Sequence, residues 1–220
     1  MSASAPGLST AALAAQRGNR VLFRDLSMTL APGRIVWLRG RNGRGKTSLL
    51  RILAGLSEPA DGVVLWGGQA LTSLPAEWRE RLVYIGHANA LKDDLTVAES
   101  LRFAAAVQGR QPSQADIDAA LAAWGILPLR NVPVRRLSQG QRRRTALARL
   151  ALPQPLSIWL LDEPLDALDD DGVRTLCTLL ARQAARGGSV MLTSHQALPL
   201  TEPLASLLDL DALDAPVRTP

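Results

Sequence analysis

The chain has 220 residues, 47% hydrophobic and 20% charged, which excludes a disordered or collagen-like chain. Its formal charge of +5 rests on 25 basic residues, of which only Lys46 and Lys92 are lysines; acidic residues are interspersed with them along most of the chain, so the charge reads as a solvated surface. The single cysteine, Cys177, excludes an intramolecular disulfide, and two histidines beside it argue against a structural zinc site.

Residues Met1 to Gln16 are uncharged and contain a short Ala/Leu stretch, but no basic segment precedes it, a poor match to a secretory signal. Val21 to Leu30 reads as a strand and Ala31-Pro32-Gly33-Arg34 as a turn. Ile35 to Leu38 is a short apolar run, expected to be a buried strand, that runs into a glycine-rich loop. Lys46 to Ala54 follows as a helix that stops at Gly55, and Val63 to Trp66 and Leu82 to Ile85 read as further strands.

From about His87 to Leu137 the texture turns helical. Thr96 and Glu99 form a capping-box pattern before a helix carrying Leu101, Ala105 and Gln108. A second helix opens near Ser113 and places Ile117, Leu121 and Trp124 on one face. Ser138 to Gln141 forms another capping box, opening a helix from Gln139 to Ala151 that Pro153 ends. Strands resume at Ile158 to Leu161 and Ser189 to Thr193. The apolar run from Leu150 to Leu161 holds two prolines and is too short for a bilayer, which takes about 20 residues. Strands alternating with helices imply an α/β fold with a mostly parallel sheet and a helical insertion.

Three motifs carry chemistry. Gly40-Arg41-Asn42-Gly43-Arg44-Gly45-Lys46-Thr47 fits G-x-x-x-x-G-K-[ST] between an expected strand and an expected helix. Backbone N–H groups of such a loop wrap phosphates at a helix N-terminus. Lys46 would reach the β- and γ-phosphates, Thr47 would offer its hydroxyl to Mg²⁺, and Ser48 completes the candidate nucleotide-binding set. Asp162 and Glu163 end an apolar strand, where α/β sheets bind ligands. Asp162 is the second candidate for Mg²⁺, and Glu163 is the candidate to orient or deprotonate the attacking water. The third motif is Leu137-Ser138-Gln139-Gly140-Gln141.

That third motif resembles the L-S-G-G-Q signature of ATP-binding cassette (ABC) ATPases, with Gln139 in place of the first glycine. The order agrees across nearly the whole chain: phosphate loop, signature, acidic strand, Asp166-Ala167-Leu168-Asp169 resembling the D-loop, then His195 resembling the switch histidine. The resemblance implies one P-loop nucleotide-binding domain over residues 1–220. Its core would lie at about 1–86 and 141–220, with an N-terminal antiparallel β part, and its helical subdomain at about 87–140. It also implies a head-to-tail dimer with ATP held between one copy's phosphate loop and the other's signature. Ser138, Gly140 and Gln141 would serve that trans contact, and His195 would touch the γ-phosphate.

Two features depart from the family pattern. No aromatic residue stands upstream of the phosphate loop to stack on adenine; Gln16 to Arg20 offers Arg17 and Arg20 instead, whose guanidinium planes can stack on a ring. His87 stands where the family's Q-loop glutamine is expected. His87 and its surroundings, Tyr84-Ile85-Gly86, Leu91-Lys92, Leu95-Thr96 and Glu99-Ser100-Leu101, resemble the cytochrome c maturation haem-exporter ATPases, as do Arg20 to Phe23 and the stretch from Leu56 to Trp66. This implies peripheral attachment to the inner face of a bacterial cytoplasmic membrane through separate membrane-spanning subunits, with ATP and Mg²⁺ as cofactors. Direct contact with haem or nucleic acid is not expected. An ATPase for a lipid, drug or polysaccharide exporter is the alternative, followed by a soluble cassette acting on nucleic acid. Arg142-Arg143-Arg144 reads as part of the signature helix, and the five tryptophans read as packing residues.

Overall fold

The computed structural model describes residues 7–155, 157–196 and 205–214. The remaining positions of the 1–220 range expected for the single domain lie outside the described residues. Two sheets form the body. The first is antiparallel, ordered β2-β1-β4-β5, with β1 at Leu8–Arg17, β2 at Arg20–Leu30, β4 at Asp61–Trp66 and β5 at Gln69–Ala70. The second is parallel, ordered β6-β7-β8-β3-β9, with β3 at Ile35–Arg39, β6 at Leu82–Ile85, β7 at Ile158–Leu161, β8 at Ser189–Thr193 and β9 at Ala205–Asp209.

The parallel strands are apolar because both their faces are covered. Trp159 and Leu161 of β7 pack in one core cluster, and Ile158 and Leu160 pack in the other. Val83 and Ile85 of β6 and Val190 and Leu192 of β8 join the first, while Leu82 and Met191 join the second. The first cluster also takes in Leu101, Ala105, Ile117, Leu121 and Trp124, so the helical stretch and one face of the sheet share a continuous core. The second lies between the sheet, the antiparallel layer and helix α1 (Lys46–Leu53).

In the helical stretch, α2 (Val97–Ala106) is opened by the Thr96/Glu99 capping box and α3 (Gln114–Ala123) by Ser113 and Asp116. Gln108 falls just beyond α2, where its side-chain amide donates to the Leu82 carbonyl at 2.8 Å. Helix α4 (Gln139–Leu147) starts at the Ser138 cap and tightens into a 3₁₀ turn over Ala148–Ala151, so the expected helix is α only in its first part. Trp66, Trp78, Trp124 and Trp159 are buried, as expected of packing residues.

Besides the two-residue strand β5 and short 3₁₀ turns, three elements were not foreseen. The first, β1, alternates inward Leu8, Thr10, Leu13 and Ala15, but a bulge at Ala12 (φ +48°) breaks the alternation in the sequence. The Ser27 hydroxyl accepts the Ala12 N–H at 3.0 Å there. Gly62 of β4 faces the bulge: an added Cβ would lie 2.3 Å from the Ala12 carbonyl oxygen, so only glycine fits. The second is helix α5 (Asp170–Ala185), capped by Asp169, and the third is β9 at the sheet edge.

Candidate nucleotide-binding site

The carboxyl ends of adjacent parallel strands deliver the candidate residues to one edge of the sheet. The loop after β3 leads into α1 and carries Lys46 and Thr47; β7 ends in Asp162 and Glu163; β8 leads to His195; β6 leads to His87. Together with Arg17, Arg20 and Leu22 of the N-terminal hairpin, they line an open cleft of about 450 Å³ that also includes Asn42, Gly43, Gly45, Ser48 and Asp166. Its size suits a small-molecule ligand.

The Lys46 ammonium donates to the Gly40 carbonyl at 2.7 Å, closing the loop on itself. Arg41 and Arg44 turn away from the cleft. The Arg41 backbone N–H donates to Asp211 at 2.8 Å, and the Arg44 guanidinium donates to the Leu210 and Leu22 carbonyls. The Arg41 N–H and the Arg44 side chain fasten the loop to the segment after β9 and to β2. The Arg41 N–H and then the two guanidinium groups hold the Asp211 carboxyl below its ordinary range.

Asp162 is buried and bound on both sides. Its Oδ2 accepts the Thr47 hydroxyl at 2.8 Å, and its Oδ1 accepts the Thr193 hydroxyl at 3.0 Å. Thr193 Oγ1 in turn accepts the Glu163 N–H at 2.7 Å. Glu163 sits in the left-handed region (φ +48°), which costs an ordinary residue energy and is found at functional sites. Its Oε2 accepts the His195 backbone N–H at 3.2 Å, and its Oε1 lies 3.5 Å from His195 Nε2. His87 Nδ1 lies 3.5 Å from Asp166 Oδ2 at the exposed rim. The two histidines of this chain therefore both border the cleft, each beside a carboxylate.

Ser138, Gly140 and Gln141 do not line the cleft. They form the first turn of α4, where the Gln141 N–H donates to the Ser138 hydroxyl at 3.2 Å and the Ser138 N–H donates to Gln141 Oε1 at 2.9 Å. Gly140 makes a close approach: an added Cβ would lie 3.1 Å from the Ala167 carbonyl oxygen, so that backbone would have to give by a few tenths of an ångström.

Sequence reasoning missed what the three arginines after the signature do. Arg142 binds Asp93 at 2.7 Å. Arg144 binds the Trp124 carbonyl at 2.8 Å and the Asp169 carboxylate at 2.5 Å. Arg143 is buried and reaches the backbone of Asp162 and Glu163. The run lies in the signature helix as expected, and its successive side chains leave that helix in different directions, about 100° apart. Thr193 also escaped notice, since a strand-ending threonine carries no signal of its own.

A phosphate loop after β3, with paired acids ending a nearby parallel strand and a capped helix set off from both, defines an ABC-type ATPase domain, and the ABC transporter family matches residues 23–166. Among curated relatives, the chain is 47% identical over 191 residues to the cytochrome c biogenesis ATP-binding export protein CcmA of Methylococcus capsulatus, covering 87% of this chain and 92% of that one. It is 45% identical over 212 residues to the same protein of Aromatoleum aromaticum, covering 96% and 99%. The chain belongs to this CcmA family of the ABC ATPases. In fold it is also similar to an ATP-binding cassette solved as a dimer in a post-hydrolysis state with ADP and Pi bound, at a TM-score of 0.75 and 22% identity over 86% of this chain and 88% of that one.

Proposed function

We propose that this chain is the ATP-hydrolysing subunit of a membrane ABC transporter complex that exports or delivers haem for c-type cytochrome assembly. The observation that carries the hydrolytic part is the convergence of Lys46, Thr47, Asp162, Glu163 and His195 on one cleft. The relatives' names, cytochrome c biogenesis ATP-binding export proteins, support the cargo assignment.

The phosphates of ATP lie along the backbone of Gly40 to Ser48, where N–H groups and the start of α1 favour negative charge. Lys46 exchanges the Gly40 carbonyl for phosphate oxygens. Thr47 Oγ1 and Asp162 are hard oxygen donors close together, a set that fits Mg²⁺ and would hold it. When bound, Mg²⁺ offsets charge on the β- and γ-phosphates. Glu163 orients the attacking water and takes its proton, and His195 sits where it can contact the γ-phosphate while holding the Glu163 carboxylate. Arg17 and Arg20 flank the base, and His87 links the rim of the site to the helical stretch.

The signature residues lie off the cleft of their own chain, which supports a head-to-tail pair in which Ser138, Gly140 and Gln141 meet the nucleotide of the other copy. One cassette spans 1–220, and its helical part, about 87–140, docks on membrane-spanning subunits of the cytochrome c maturation system. Among the described residues no helix is long and apolar enough to cross a membrane, so attachment is through those subunits, at the cytoplasmic face of the inner membrane. The chain touches neither haem nor nucleic acid.

Deletion in a host without a second copy, followed by staining for covalently bound haem, tests this reading. Loss of c-type cytochromes, restored by the wild-type chain, is the expected result. Normal cytochromes would overturn the cargo and favour another exporter.

A further inference from the structure

Arg143 is 3% exposed and spends all five of its N–H donors inside the protein. Its Nε donates to the Pro164 carbonyl at 3.3 Å; Nη2 donates to the carbonyls of Asp162 at 3.0 Å and Glu163 at 2.6 Å. Its Nη1 donates to the Gly86 carbonyl at 3.1 Å and to Asn89 Oδ1 at 3.0 Å. One rigid fork therefore grips three consecutive carbonyls around the strained Glu163 and both ends of the short segment that carries His87. The fork rises from α4, five residues beyond the signature serine.

From this geometry we infer that Arg143 is a positioning residue: it fixes the Glu163 carboxylate for water activation and sets the His87 segment against it, tying both to the signature helix. The inference rests on the proposed role of Glu163. Burial works against a charged guanidinium, and the nearby Asp166, Asp162 and Glu163 carboxylates compensate. A lysine at this position keeps the charge but supplies three donors from one point, so it cannot span the five acceptors. The carbonyls of residues 162–164 would then lose their common anchor, and Glu163, in a backbone conformation that ordinary residues avoid, would be free to relax.

The test uses the full chain in its membrane complex, with steady-state hydrolysis of radiolabelled ATP and separate binding of a fluorescent ATP analogue. Arg143→Lys is expected to lower kcat by about 10- to 100-fold, the range a displacement of about 1 Å can cost, with KM for ATP changed less than about 3-fold. A residue that acts through Glu163 is non-additive with it. Arg143→Lys is therefore expected to have no further effect on the residual turnover of Glu163→Gln. An equal fold-loss in both backgrounds, or unchanged kcat in the first, would overturn the inference. Full turnover in Glu163→Gln alone would instead remove the underlying reading. If Arg143→Lys does not fold, Asn89→Ala removes one acceptor at the accessible end: a lower kcat at unchanged melting temperature, absent in the Glu163→Gln background, supports the inference, and an unchanged kcat overturns it.

Discussion

The Thr47 hydroxyl donates to Asp162 Oδ2 at 2.8 Å, joining the first turn of α1 to the end of β7 across 115 positions of sequence. Thr193 completes the arrangement from β8 by donating to the other oxygen of the same carboxylate. Three neighbouring elements thus share one buried acid, and two of its oxygen partners are hydroxyls that can be removed singly.

Thr47→Val keeps the shape of the side chain and removes the hydroxyl. Loss of that donor is expected to raise the Mg²⁺ concentration for half-maximal ATP turnover by at least about 10-fold, the scale seen when groups around a metal are removed. Thr47→Ser should restore most of it. A Mg²⁺ titration of turnover checks this, and an unshifted midpoint in Thr47→Val would take Thr47 out of the metal site.

Arg17 and Arg20 are paired across the tip of the β1–β2 hairpin and both line the cleft. Arg20 reaches the phosphate loop, with Nη1 3.9 Å from where a Cβ at Gly43 would stand. Cation–π contacts are worth about 0.5–2 kcal/mol each. Two such contacts sum to about 1–4 kcal/mol, so the double substitution to alanine should weaken ATP binding by about 5- to 1,000-fold. Inorganic tripolyphosphate separates base from phosphate: stacking predicts a larger loss for ATP. Equal losses would assign these arginines to the phosphates, and no loss would remove them from the site.

Acid should loosen the helix caps. Glu99 is held below its ordinary range by the Thr96 backbone and side chain, Asp116 by the Ser113 side chain and backbone, and Asp169 by the Gly172 N–H and the Arg144 guanidinium. A depressed folded pKa means the unfolded chain binds more protons, so stability rises with pH through that window. The contribution is complete above the usual carboxylate range of about 4 and is lost as pH falls through the lower folded values. Melting temperatures should hold from pH 6 to about pH 5 and fall below that, and Asp116→Asn should lower the melting temperature more at pH 6 than at pH 3. An equal drop at both would contradict the cap's titration.

Much of this was legible in the sequence because local signals and burial agree. Leu82–Ile85 and Ile158–Leu161 are buried on both faces, so they appear as unbroken apolar runs. The three capping boxes announce α2, α3 and α4 by residue type and spacing. Strand β1 was hidden because its inward positions are partly alanine and threonine and because the bulge at Ala12 shifts the register. Helix α5 lacks a glutamate or glutamine at the third position, so Asp169 caps it without a full box. The three arginines lie in the signature helix as expected, but what they hold was hidden for a different reason: a side chain that ends on backbone carbonyls of distant segments leaves no trace in its own neighbourhood. The burial of Arg143 follows from tertiary packing alone.

The most direct measurement is ATP turnover in Glu163→Gln beside the wild type, with nucleotide binding measured on both. Glu163 lies next to His195 at the edge of the cleft, and glutamine preserves its volume while removing the base. Loss of a general base costs about 10²- to 10⁴-fold. The account predicts a fall of that size in kcat with ATP affinity retained. Turnover equal to the wild type would contradict it.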